Sequence, residues 1–177
     1  LVAAALPGTD PVHKITILPR GRALGYTMVL PESDKYSTTR SQMLDQLAYM
    51  LGGRAAEEMV FHDPTTGAAN DIEKATAVAR KMVMQFGMTE RLGAIKYGQA
   101  DGEVFLGMSA GTRPKAISGQ TAKLIDEEVR RIIDDQYNLA RRLIEFNSDK
   151  MHAMAKALLE WETIDGEQLD DIMAGRE

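Results

Sequence analysis

The stretch "TTGAANDIEKATAVARKMVMQFG" turns a polar, glycine-containing loop into an amphipathic helix, and Asp71 stands at the turn. A carboxylate there can start the helix. Asn70 is a good N-cap, and Glu73 stands three residues on, as in a capping box. Asp71 is then a first-turn acid favoured by the helix dipole, with Lys74 in reach at i+3. The same carboxylate can also hold a cation. It shares a face with Ala75, Val78 and Met82, and a carboxylate turned towards protein needs donors or a positive charge. A metal ion is one such charge. Local sequence alone favours the helix-start role.

Other groups with chemical potential are few. The three histidines, His13, His62 and His152, include no i,i+4 pair, so no HExxH zinc clamp lies within the 177 residues. Each histidine reads as structural or solvated. "GGRAAEEMV" carries two adjacent acids. A helical wheel places Glu58 in the apolar stripe and Glu57 on its flank. Either could pair with Arg54, and the wheel does not choose between them. "LPRGRALGYTMVLP" could offer an open strand edge, and such an edge can bind an extended peptide through its backbone. No GxxxxGK[ST] phosphate loop and no GxSxG nucleophile elbow is present.

The elements that would carry these residues follow from periodicity. Residues 1–6 read as the end of a helix stopped by Pro7 and Gly8. "HKITILP" (13–19) and "LGYTMVLP" (24–31) read as strands joined by a turn at 19–22, antiparallel to one another. A helix is expected over 39–61 with Leu44, Leu47, Ala48, Leu51, Ala55 and Met59 inward. Gly52 and Gly53 interrupt it, which implies close packing of a neighbour. A second helix is expected over 70–86 with Ile72, Ala75, Ala79, Met82, Val83 and Phe86 inward. Residues 87–117 read as loops that could include one short strand. A long helix follows over 118–146, with Ile125, Val129, Ile132, Ala140 and Leu143 inward. Asp126–Arg130 and Glu127–Arg131 are expected as pairs on its outside. Helices over 148–161, capped by Ser148, and 165–173 close the chain. The fold class is mainly α, with a small β-hairpin near the N-terminus.

Composition narrows the functions. The apolar content of 44% suits a globular core. The net charge of -5 argues against a nucleic-acid surface. With no cysteine, disulfides, thiolate metal sites and cysteine nucleophiles are excluded for these residues. No apolar run approaches the roughly 18 residues that span a bilayer. The chain opens inside an apolar run without a methionine, so it is expected to begin partway through a helix of a longer protein.

The segments "DPVHKITILPRGRALGYTMVLPE", "YMLGGRAAEEMVF", "TTGAANDIEKAT", "EVFLG", "LIDEEV" and "ETIDGEQLDDIMA" closely resemble the peptidase domain of the FtsH family, in the family's order. The resemblance runs nearly end to end. It implies a bacterial-type, membrane-anchored, ATP-dependent zinc metalloprotease that degrades membrane and unfolded cytosolic proteins. The chain would be a single peptidase domain, 1–177, truncated at its N-terminus. The HEAGH segment, with two zinc histidines and the general-base glutamate, would precede Leu1, so no catalytic residue falls within the chain.

The resemblance also assigns roles. Asp71 matches the aspartate ligand of the family's TGA-x-ND motif, here Thr66-Gly67-Ala68-Ala69-Asn70-Asp71. It would complete three protein ligands to Zn2+, leaving the fourth position to water. Glu57 matches an acid near the metal site that would orient a ligand histidine, with Glu58 as its competitor. Gly25, Tyr26, Thr27, Met28 and Val29 match the edge strand along which protein or peptide substrate would lie. ATP and Mg2+ would belong to an ATPase module outside this chain. The intact protein would be a homo-hexamer in the bacterial inner or plasma membrane, with this domain facing the cytoplasm. These 177 residues alone would be inactive. A rival reading is a peptidase-like scaffold that has lost its catalytic helix and only binds partners.

Overall fold

The computed structural model describes residues 1–98 and 117–176. Six helices and three strands follow in the order α1 (Val2–Ala5), β1 (Val12–Thr16), β2 (Tyr26–Val29), α2 (Arg40–Phe61), α3 (Ala69–Met84), α4 (Gly119–Phe146), α5 (Ser148–Trp161), β3 (Thr163–Asp165) and α6 (Gly166–Met173), with one 3-10 turn, Thr66–Ala68, ahead of α3. The fold is mainly α with a small antiparallel sheet, as the periodicity implies. Among the described residues no helix is long and apolar enough to cross a membrane.

Caps set the helix boundaries. Thr39 and Gln42 form a reciprocal capping box at the start of α2, and His62, at φ 55°, closes its end. Ser118 accepts from the Thr121 amide and starts α4. Asp165 and Gln168 form a second capping box on α6. Ser148 does not cap α5; it is the helix's first residue, and Asn147 precedes it. Asn147 is buried, and its side-chain amide donates to the Leu143 carbonyl at 2.8 Å. The junction is therefore held from the α4 side.

The core lies where α2, α3 and α4 meet. Leu47 and Leu51 of α2 pack with Ala75, Ala79, Met82 and Val83 of α3 and with Ile125, Val129 and Ile132 of α4. Val2 of α1 joins Ala48, Ala55, Ala140 and Ile144 in a second cluster along the same α2–α4 seam. Each fully buried large side chain contributes roughly 1.5–3 kcal/mol. The expected inward stripes hold at their centres and fail at their ends. Ile72 is 39% exposed in the first turn of α3, and Phe86 is 51% exposed because the helix ends at Met84, before reaching it. Of the glycine pair in α2, only Gly52 is packed closely, with a notional Cβ 3.1 Å from a Val2 methyl carbon; Gly53 faces open space.

The sheet has three strands in the order β2-β1-β3, so the early hairpin gains a strand from the far end of the chain. β1 pairs antiparallel with β2 and with β3, setting Ile15 opposite Thr27 and Ile164. Both hairpin strands are shorter than the apolar runs that carry them. No regular strand forms over 94–98, and "EVFLG" (103–107) lies outside the described residues.

The expected pairs Asp126–Arg130 and Glu127–Arg131 do not form. Asp126 faces Arg80 at 3.8 Å and Glu127 faces Arg91 at 3.2 Å. Arg131 turns instead to Glu128, which is fully buried. Its Nε and Nη2 donate to one Glu128 oxygen at 3.1 and 2.5 Å, and Arg91 Nη1 donates to the other at 3.3 Å. A buried carboxylate binds cations more strongly than an exposed one, so it captures both arginines. The hydrogen bond from Arg131, ahead of the opposing effect of burial, holds the Glu128 carboxyl below the usual carboxylate range.

A depressed folded pKa stabilises the protein above the unfolded carboxylate value, about 4.3, and that stability is lost as pH falls through the folded value. We expect Arg131→Met to cost about 3 kcal/mol at neutral pH and to make the acid limb of the stability profile shallower. Arg130→Met, on an exposed side chain, should stay within about 0.5 kcal/mol. Urea denaturation between pH 3 and 7 measures both; equal costs for the two variants would remove the buried network from stability.

Candidate metal centre

The loop between α2 and α3 is held by side chains of α2. Glu57 accepts from the Thr65 amide at 3.2 Å and from its hydroxyl at 2.8 Å. Arg54 Nη1 donates to the Thr65 carbonyl at 3.4 Å. The Thr65 hydroxyl in turn accepts from the Gly67 amide at 3.1 Å and caps the 3-10 turn. A Cβ on Gly67 would stand 3.2 Å from that hydroxyl, so the turn approaches too closely for a larger residue to enter freely. Every polar atom of Thr65 is therefore engaged.

This loop changes how α3 begins. The expected capping box of Asn70 and Glu73 is absent. The N-cap position is Ala68, with no side-chain cap, and the 3-10 turn leads straight into the helix. Asp71 still lies in the first turn of α3. It is exposed rather than turned into the core, so burial gives it no need for a cation. The Lys74 pair does not form, and among the described residues the Asp71 carboxylate has no hydrogen-bond or ion-pair partner. Its charge is felt by Tyr49 on α2. Burial first, and the Asp71 charge second, hold the Tyr49 hydroxyl above the usual phenol range.

The two adjacent acids of α2 separate by partner. Glu57 serves the Thr65 loop. Glu58 accepts from Arg54 Nε at 2.8 Å and from the Tyr137 hydroxyl of α4. His13, His62 and His152 are exposed, and among the described residues no group of three or more His, Asp or Glu side chains converges to hold a metal ion.

β2 is an edge strand, since among the described residues it pairs with β1 alone. It spans Tyr26, Thr27, Met28 and Val29; Gly25 lies just before it. A Cβ on Gly25 would stand 2.6 Å from the Thr16 carbonyl oxygen, so the two chains touch backbone to backbone there. Thr27 and Tyr49 line one cavity of about 210 Å³ together with Val2, Gly52 and Gly53. The edge strand and the neighbour of Asp71 thus share a wall. The sequence reading did not single out Thr65, Tyr49 or Tyr137. Only Thr65 carried a local signal, as a threonine two residues ahead of a glycine.

The family described as Peptidase family M41 matches residues 1–172. The chain belongs to peptidase family M41. It is 55% identical over 172 residues, 97% of its length, to the ATP-dependent zinc metalloprotease FtsH of Cutibacterium acnes. It is 54% identical over 176 residues, 99% of its length, to the protein of that name from Cupriavidus metallidurans. It is 50% identical over all 177 residues to ATP-dependent zinc metalloprotease FtsH 1 of a Thermoanaerobacter species. The chain spans between 24% and 29% of the length of these relatives.

For an M41 chain the donor set can be tested directly. A carboxylate oxygen with no competing partner suits zinc as one ligand. The described residues supply that one donor and no complete site. On the edge strand, we expect Gly25→Ala to destabilise the chain by about 1–3 kcal/mol, because the added methyl must push β1 and β2 apart. Gly53→Ala, facing open space in a helix, should be neutral or stabilising by up to about 1 kcal/mol. Thermal or urea unfolding checks the pair; a harmless Gly25→Ala would show that the edge strand is not held as described.

Proposed function

We propose that this chain is part of the zinc metalloendopeptidase domain of an ATP-dependent protease, with Asp71 as one protein ligand of the zinc ion. The observation that carries the reading is the unpartnered Asp71 carboxylate in the first turn of α3, just beyond a loop whose Thr65 is held by Glu57 and Arg54 of α2. When bound, zinc lowers the pKa of a water molecule and polarises the scissile carbonyl. The two histidine ligands and the general-base glutamate would come from outside these 177 residues, which contain no HExxH.

The chain's own residues then have distinct tasks. Asp71 supplies a carboxylate oxygen on a fixed turn. Glu57 fixes that turn through Thr65; orienting a ligand histidine would be a further task of the same side chain. The open edge formed by Tyr26, Thr27, Met28 and Val29, entered through Gly25, would take an extended polypeptide by strand addition, with backbone hydrogen bonds supplying binding that tolerates many sequences. Unfolded cytosolic and membrane proteins are the substrates this edge suits. ATP and Mg2+ would act in a separate module of the intact protein. Assembly as a homo-hexamer in the bacterial inner membrane, with this domain on the cytoplasmic side, belongs to the same proposal.

In the intact protein we expect Asp71→Asn to lower zinc occupancy and to reduce proteolysis of casein by about 100-fold or more, since metal stabilisation of the transition state is worth several kcal/mol. ATP hydrolysis should be retained. Elemental analysis and a proteolysis assay read the outcome; wild-type zinc content with wild-type proteolysis would exclude Asp71 from the site.

A further inference from the structure

We propose that Tyr137, on α4, is a positioning residue for Asp71, acting through Glu58 and Arg54 on the Thr65 loop. The inference rests on the reading of Asp71 as a zinc ligand.

The contacts form an unbroken series. The Tyr137 hydroxyl donates to one oxygen of Glu58. The other Glu58 oxygen accepts from Arg54 Nε at 2.8 Å. Arg54 Nη1 then donates to the Thr65 carbonyl at 3.4 Å. Thr65 is held on its other side by both Glu57 oxygens and caps the turn through Gly67. Asp71 follows in the first turn of α3.

Each link constrains the next for a physical reason. The guanidinium is a rigid planar fork, so fixing Nε fixes the direction of Nη1. The Arg54–Thr65 contact is long, and its strength depends on that direction. Glu58 can fix the fork only if its own carboxylate cannot rotate. The Tyr137 bond removes that rotation, and it crosses from α4 to α2 over 79 positions of sequence. The Tyr137 bond, joined by the Arg54 contacts and outweighing the opposing effect of burial, keeps Glu58 below the usual carboxylate range; burial and Glu58 keep the Tyr137 hydroxyl above the usual phenol range. The proton therefore stays on the tyrosine at neutral pH, and the carboxylate keeps its charge for Arg54. Tyr137 also packs against both core clusters through its ring, so the loop is referred to the centre of the domain rather than to α2 alone.

The test uses the intact protein and four variants. Tyr137→Phe keeps the ring and removes only the hydroxyl. We expect it to weaken zinc binding about tenfold, the low end of the range for groups that orient a metal ligand. It should lower kcat for a peptide substrate with KM little changed, because the substrate edge strand is untouched. Hydrogen exchange in a peptide covering residues 62–68 should speed up in the metal-free protein, a readout independent of activity. Thr65→Val should behave like Tyr137→Phe, and Thr65→Ser, which keeps the hydroxyl, should restore wild-type zinc affinity. Asp71→Asn is measured alongside. If Asp71→Asn weakens zinc binding while Tyr137→Phe leaves affinity and exchange at wild-type values, the positioning role is overturned and the ligand reading stands. If Asp71→Asn binds zinc like wild type, both fall.

Discussion

Three hydrogen bonds from α2 to a single residue, Thr65, set the geometry on which the rest of the candidate site depends. A carboxylate can serve a metal ion only if its backbone holds still, because ligand distances tolerate a few tenths of an ångström. α3 cannot provide that stillness from within. Its first residues have no side-chain cap, and an uncapped helix start frays. α2 supplies the missing restraint from outside. It offers an acceptor to the Thr65 amide and hydroxyl and a donor to its carbonyl, so the 3-10 turn enters α3 along one path.

α2 can do this because it is itself fixed. Its apolar face is buried between α3 and α4, with Leu47, Ala48 and Ala55 fully enclosed. Its start and end are set by Thr39 and His62. The small residues Gly52 and Ala55 let α1 and α4 approach closely, while Arg54, Glu57 and Glu58 emerge on the side facing the loop and α4. One helix thus carries the core contact on one face and the loop restraint on another. The buried Glu128 has a parallel task elsewhere: it ties the segment after α3 to α4 through Arg91, while Arg131 of α4 itself closes over the same carboxylate.

Much of this was legible in the sequence. Helix identities followed from the apolar period, while the two caps read from local sequence, Asn70 and Ser148, do not form. The third strand was not legible. Thr163–Asp165 is three residues long, and its pairing partner, β1, lies nearly 150 positions away. The N-terminus of α3 was misread for a different reason. Asn70 and Glu73 have the right spacing for a capping box, but Thr65 and Glu57 settle the turn earlier, so the helix begins before Asn70 can cap it. Helix-surface pairs failed likewise: Arg131 has a buried carboxylate three residues back, which outcompetes the exposed one at i-4. A wheel set Glu58 in the apolar stripe and Glu57 on its flank but did not assign their tasks; the tertiary partners, Thr65 for Glu57 and Tyr137 for Glu58, do. The Asp71 role was suggested by resemblance to a family, and its local sequence pointed elsewhere.

Membership of peptidase family M41 places the chain among proteins several times its length. The most direct test of Asp71 as a ligand is the zinc K-edge absorption spectrum of the intact, zinc-loaded protein, compared between wild type and Asp71→Cys. If position 71 faces the metal, the variant acquires a sulfur neighbour at about 2.3 Å in place of an oxygen or nitrogen neighbour near 2.0–2.2 Å. A variant that binds zinc with a spectrum unchanged from wild type would show that the side chain at position 71 does not reach it.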